Sequence, residues 1–237
     1  MALPTIATPE FHTEIPSTKE PIKFRPFLVK EEKVLYMALE SGDNKDIFNA
    51  TQTILDNCIL TPGVELDKFT TYDIEYLFLQ LRAKSVGEVL EVNVRHPDED
   101  YECKAITKVS INIDDIKIQF DDNHDDKIDL GTGVGIQMMD PKASSVLKIR
   151  QDANQLDQML DVIYSSVKLV YDENDVYENF TKEEFSTFIE SLTKEQFTLL
   201  TDWFETAPKL SHEISFVCEE CGKPETIKLE GLQSFFT

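Results

Sequence analysis

The C-terminal stretch Phe216–Thr237 reads "FVCEECGKPETIKLEGLQSFFT", and its two cysteines decide how the rest of the chain is read. Cys218 and Cys221 have the Cys-x-x-Cys spacing that lets both thiolates of one turn reach a single metal ion, and Gly222 permits the tight backbone there. The apolar residues on either side, Phe216 before and Ile227 and Leu229 after, alternate as the strands of a hairpin do. Structural zinc takes four ligands in a tetrahedron, commonly as two such pairs. This stretch therefore supplies half a site.

The middle of the chain offers the other half. "EVNVRHPDEDYECKAITKVSINIDDI" (Glu91–Ile116) and "EISFVCEECGKPETIKLEGL" (Glu213–Leu232) share an order of features. Each opens with a strand, at Val92 and Val94 or at Ile214 and Phe216, and continues with a polar turn carrying candidate ligands. Each then resumes with the same strand end, Ile111-Ile113-Asp114-Ile116 or Ile227-Leu229-Glu230-Leu232. In this overlay His96 falls on Cys218, and Cys103 falls near Cys221 after a longer loop. His96, Cys103, Cys218 and Cys221 are thus the candidate metal ligands, and one structural zinc is the expected cofactor. Such a zinc would clip the C-terminal hairpin to the middle sheet, with all four positions filled and none left for catalysis. A worn-down repeat whose second knuckle has lost its metal fits the same pattern. A redox role needs a thioredoxin-like strand–motif–helix context, which is absent.

Working outward, the expected fold class is α+β. Residues 1–27 hold five of the ten prolines, which forbid a helix and favour an extended arm. Ile6, Phe11, Ile15, Ile22, Phe24 and Phe27 are too apolar for a solvated tail, so the arm lies on its own body or on a neighbouring subunit. Residues 28–87 read as a helical unit: "KEEKVLYMALESGD" stops at Gly42, "KDIFNATQTILDNCI" buries Cys58 as a small hydrophobe, and a third helix opens at Thr70 or Thr71 and closes at Gly87. Residues 88–143 alternate as a small antiparallel sheet, with a parity change that demands a bulge or turn at Asp114–Asp115. Residues 144–210 read as a second helical unit, beginning with one long helix from Ser144 to Tyr171 that includes Leu147 and Val167. Capping boxes, Thr181 with Glu184 and Thr193 with Gln196, open the two helices after it. Residues 211–237 form the knuckle hairpin, packed on the β unit.

Twenty-three basic residues against forty-five acidic ones give a net charge of −22. That surface repels phosphate backbones and anionic membranes, so neither nucleic acid nor membrane is an expected partner. No run approaches the length of a membrane span, and the first residues show no export signal, so a cytosolic location with reduced thiols is expected. "DDNHDDKIDLGT" lacks the glycine and glutamate of a calcium loop, and "GTGVG" (Gly131–Gly135) lacks the spacing and helix of a phosphate loop. No nucleophile and base can be assembled, so the chain is not read as an enzyme.

Two long blocks carry a resemblance. "IKFRPFLVKEEKVLYMALES" (Ile22–Ser41) and "YDIEYLFLQLRAKSVGE" (Tyr72–Glu88), together with "LEGLQSFF" after the knuckle, resemble the small baseplate-hub and hub-assembly proteins of T-even-like contractile-tailed bacteriophages. The resemblance implies a non-enzymatic role in assembling the baseplate hub, as a hub subunit or as an assembly chaperone for hub and tape-measure proteins. It implies work in the host cytoplasm during assembly and a place in the virion tail for a retained subunit. It also implies a cysteine pair in the middle sheet, from which "VNVRHPDEDYEC" (Val92–Cys103) departs. Arg25, Phe27, Leu28 and Lys30 are the candidate partner-binding residues, because "RPFLVKEEK" mixes charge with an apolar edge. Partners are other hub or tape-measure proteins, or a second copy of the chain. The alternative is a zinc-knuckle adaptor for another host or phage protein. Against a nucleic-acid reader, Glu219, Glu220 and Glu225 outweigh Lys223 and Lys228 around the knuckle.

Overall fold

Proline and the apolar residues between prolines shape the first elements. The computed structural model describes residues 6–96, 103–146, 149 and 153–235. Strands β1 (Phe11–Glu14) and β2 (Pro21–Phe24) form an antiparallel hairpin that sets Phe11 opposite Phe24, with Pro21 at the strand start where its missing N–H costs no ladder bond. Ile15, Ile22 and Phe24 are at most 5% exposed. The fully buried carboxylate of Asp73 accepts from both the Ser17 amide (2.9 Å) and the Ser17 hydroxyl (2.6 Å). Further on, the Arg25 amide donates to the Cys58 carbonyl, and the Leu60 amide donates to the Lys23 carbonyl. The arm is thus bound to its own body.

Helices α1 (Val29–Ser41), α2 (Asn44–Cys58) and α3 (Thr71–Ser85) follow. Gly42 ends α1 in the left-handed conformation, and the Asp43 side chain caps α2 by accepting from the Lys45 and Asp46 amides. Helix α3 buries residues on every side (Tyr72, Ile74, Leu77, Phe78, Leu79 and Leu81), as a central helix must. Next come β3 (Val89–Val94), β4 (Thr107–Asn112), a 3-10 turn (Ile113–Asp115), β5 (Lys117–Gln119), β6 (Lys127–Asp129) and β7 (Gly135–Met138). After them run α4 (Ala143–Val146), α5 (Gln155–Ser166), β8 (Val167–Tyr171), β9 (Val176–Tyr177), α6 (Lys182–Glu190) and α7 (Lys194–Thr206). The hairpin β10 (Lys209–Val217) and β11 (Pro224–Glu230) leads to a final 3-10 turn, Leu232–Phe235. The architecture is mixed: seven α-helices among the described residues, with small antiparallel sheets.

The chain divides into two compact units. One comprises Met1–Leu66, Tyr72–Gln119 and Lys209–Thr237; the other comprises Asp67–Thr71 and Phe120–Pro208. In the first, Ile22, Ile54, Leu55, Ile74, Phe78, Leu90, Ile113 and Phe235 are essentially sealed from solvent. Each such side chain stabilises by about 1.5–3 kcal/mol relative to exposure. In the second, the core is Ile136, Met138, Ile163, Phe185, Leu200 and Trp203. Both capping boxes are formed there, Thr181 with Glu184 and Thr193 with Gln196, and the Trp203 indole N–H donates to the Asp125 carbonyl at 2.9 Å.

Two sequence expectations are corrected. The helix read from Ser144 to Tyr171 is interrupted: α5 starts at its Asn154 cap and ends at Ser166, and Val167–Tyr171 is a strand paired with β7. "VKLVY" is rich in β-branched and aromatic residues, and Ser165 and Ser166 hydroxyls bond back to the Val162 carbonyl where the helix stops. Leu147 lies outside the described residues. Residues 88–143 do not form one sheet either. Among the described residues, strands β3 and β4 pair only with each other, β5 joins β10 and β11, and β6 and β7 join β8 and β9. The parity change at Asp114–Asp115 is the 3-10 turn, capped by the Asn112 side chain, and it redirects β5 to a strand some ninety residues away in sequence. In "GTGVG", Gly131 and Gly133 take positive φ, and a Cβ at Gly135 would collide with the Tyr171 ring.

Candidate metal centre

The cysteine pair sits at the tip of the β10–β11 hairpin. The last strand pair is Val217 opposite Pro224, and Cys218–Lys223 make the turn between them. Two backbone bonds close it: the Cys218 amide donates to the Lys223 carbonyl (3.0 Å), and the Gly222 amide to the Cys218 carbonyl (2.9 Å). Gly222 takes φ 71°, a left-handed conformation that side chains disfavour. The other pair flanks the β3–β4 ribbon, whose last strand pair is Val94 opposite Thr107. His96 lies just beyond Val94, and Cys103 comes before Thr107; residues 97–102 between them lie outside the described residues.

These four side chains converge. One donor atom from each of His96, Cys103, Cys218 and Cys221 lies within 4.8 Å of all the others. The Cys103 and Cys218 sulfurs are 3.7 Å apart, and the Cys221 sulfur is 3.3 Å from His96 Nε2. Tetrahedral zinc, with Zn–S about 2.3 Å and Zn–N about 2.0–2.1 Å, spaces its sulfurs by about 3.8 Å and sulfur from nitrogen by about 3.5 Å. Both separations are close to those edges, so the cluster could bind a metal ion of that size. With four protein donors, no coordination position is left for a substrate.

Electrostatics prepare the two halves differently. Cys218 is 1% exposed, yet its thiol is pulled down to about pKa 6, because the amides of Cys221 and Glu220 donate to its sulfur, helped by Cys221 and His96 side chains. Cys103 is moved the other way. The Ala105 amide favours its thiolate, but desolvation and the neighbouring Cys218 and Cys221 thiols together raise its pKa. Burial works against a charge on His96, while hydrogen bonds to Cys218 and Glu225 outweigh it and raise its pKa. The fourth cysteine, Cys58, takes no part: it is fully buried in the helical core, and desolvation pushes its thiol up to about 11.

One participant went unforeseen. Glu225 Oε1 stands 3.1 Å from His96 Nδ1, on the ring nitrogen that faces away from the sulfurs. Nothing in the sequence singles it out, since Glu219 and Glu220 lie as near to the cysteines. The sequence-predicted partner residues are grouped at the arm–helix junction. Arg25 is used internally, donating to the buried Glu31 carboxylate and to the Asn57 carbonyl. The Phe27 amide donates to the Ser85 hydroxyl, whereas Leu28 and Lys30 are exposed.

A closed, four-donor cluster of this kind could bind a metal ion and has the donor set of a structural site. Comparison with known proteins identifies the family. The family described as T4 bacteriophage base plate protein matches residues 8–237, nearly the whole chain, and the chain belongs to that family. It is a T4-like baseplate protein, and membership implies contact with other phage proteins. No curated protein and no solved structure matches the chain. Among the described residues no helix is long and apolar enough to cross a membrane.

Proposed function

We propose that this protein takes part in building the baseplate hub without catalysing a reaction, either as a hub subunit or as an assembly chaperone for hub and tape-measure proteins. The observation that carries the reading is the family match across residues 8–237. A binding role also suits a molecule whose cluster leaves no coordination position open to a substrate. In this reading His96, Cys103, Cys218 and Cys221 hold one structural zinc. Leu28 and Lys30 belong to a docking surface for another hub protein that continues along α1, where Val29, Tyr36 and Met37 are at least 66% exposed. The protein works in the host cytoplasm while tails assemble.

Deleting the gene and isolating tail intermediates tests the role. Hubs that fail to form support it, and complete, functional baseplates overturn it. Mass spectrometry of purified virions then separates the two forms: hub stoichiometry means a subunit, and absence from the particle means a chaperone.

A further inference from the structure

The strongest unexplained contact is the one between Glu225 and His96. The imidazole is 2% exposed and the Glu225 carboxylate 20% exposed, so the pair is largely shielded from water. The ring lies between two partners: Nδ1 is 3.1 Å from Glu225 Oε1, and Nε2 is 3.3 Å from the Cys221 sulfur. A neutral imidazole carries one proton, and the nitrogen without it is the one that can donate a lone pair to a metal. A carboxylate can only accept, so the proton belongs on Nδ1, leaving Nε2 free toward the three sulfurs.

We propose that Glu225 is the positioning residue of the metal centre: it accepts the Nδ1–H hydrogen bond of His96 and so fixes both the tautomer and the ring orientation that present Nε2 as the fourth ligand. This rests on the zinc reading given above. Carboxylate–histidine–metal arrangements of this kind tune ligand basicity and orientation, and losing the outer partner weakens metal binding by about 10–100-fold.

The topology makes the contact more than local. Among the described residues, strands β3 and β4 share no ladder with β10 and β11, since they form separate sheets. His96 extends from the first pair, whereas Glu225 stands on β11 beside the knuckle, opposite Phe216. The hydrogen bond therefore runs between the two ribbons and sets the histidine from the far side. Cys218 and Cys221 belong to a turn held by its own backbone bonds, but His96 takes its orientation from a residue of the opposite ribbon.

The full-length protein tests this by zinc affinity, read by competition with a chromophoric chelator, and by the visible spectrum of the cobalt(II)-substituted form. Glu225→Ala is expected to bind one zinc about 10–100-fold more weakly. Its cobalt spectrum should remain that of three sulfurs and one nitrogen, and its metal-free melting temperature should fall by less than that of its zinc-bound form. Glu225→Gln, whose amide oxygen still accepts the N–H, should recover most of the lost affinity. An affinity for Glu225→Ala within twofold of wild type overturns the assignment. So does an affinity loss matched by an equal loss of metal-free stability, which would mark Glu225 as a general hairpin contact. Wild-type protein that binds no zinc would instead sink the zinc reading itself, so the two failures are distinguishable.

Discussion

The β3–β4 and β10–β11 ribbons make an instructive pair. Each ends in a 3-10 turn, Ile113–Asp115 or Leu232–Phe235, and each brings two donor side chains to the same cluster. They differ in how those donors are held. In β10–β11 the turn is short and closed on itself, and its own amides stabilise the Cys218 thiolate. In β3–β4 the paired strands end at Val94 and Thr107, His96 is set by a carboxylate from the other ribbon, and the Cys103 thiol is raised. One half of the centre is preformed by local backbone, and the other is completed across the fold. Backbone amides cost no additional ordering once a turn has formed, whereas a histidine beyond the end of its paired strand needs an external partner to fix its rotamer.

The comparison can be broken most forcefully at the preformed half. Cys218→Ser should abolish zinc binding and destabilise the fold by about 4 kcal/mol or more, in the manner of a lost structural metal. Metal analysis and thermal melting check this, and chelator should lower the melting temperature of wild type but not of the variant. The second largest effect concerns what supports the turn after β11. There the Leu232 amide donates to Glu75 of α3 at 3.2 Å, and burial pushes the Glu75 carboxyl up to about 7 from its ordinary 4.5. The folded state thus holds this proton more tightly than the unfolded chain. The stabilisation is complete below pH 4.5 and is lost as pH rises through 7, amounting to about 3 kcal/mol at most. Glu75→Gln should remove this slope from denaturant melts taken between pH 4 and 8.

Smaller effects sharpen the contrast. Gly222→Ala forces a side chain into the left-handed region and should cost about 1–2 kcal/mol, with a measurable drop in zinc affinity. His96→Cys would give the β3–β4 half two thiol donors, like the β10–β11 half. It should still bind one zinc, change stability by less than about 1 kcal/mol, and make the site indifferent to Glu225→Ala, because a thiolate has no tautomer to fix. A double-mutant cycle on zinc affinity measures this directly; retention of the full Glu225 effect in the His96→Cys background would contradict the orientation argument.

What could be read from sequence was what is encoded locally. Thr181 with Glu184 and Thr193 with Gln196 announce their helices within one turn, and both boxes are formed. Cys58 stood out as core by its place on an amphipathic helix and is fully buried. The convergence of His96, Cys103, Cys218 and Cys221 was legible because the echo between the two ribbons carried them to matching places. Features decided by distant partners were not legible. Val167 and Val170 continue a helical spacing, but pairing with Gly135–Met138 makes their segment a strand. Strand β5 is short and unremarkable until β10 supplies its ladder. Glu225 is one of forty-five acidic residues, and only the approach of His96 gives it a task.

Native mass spectrometry of the full-length protein, purified without chelator and supplied with zinc, addresses the metal centre most directly. One zinc per folded chain, lost in Cys218→Ser and retained in His96→Cys, is the expected result. A metal-free chain at saturating zinc, with the melting temperature indifferent to chelator, would show that the two ribbons meet without an ion between them.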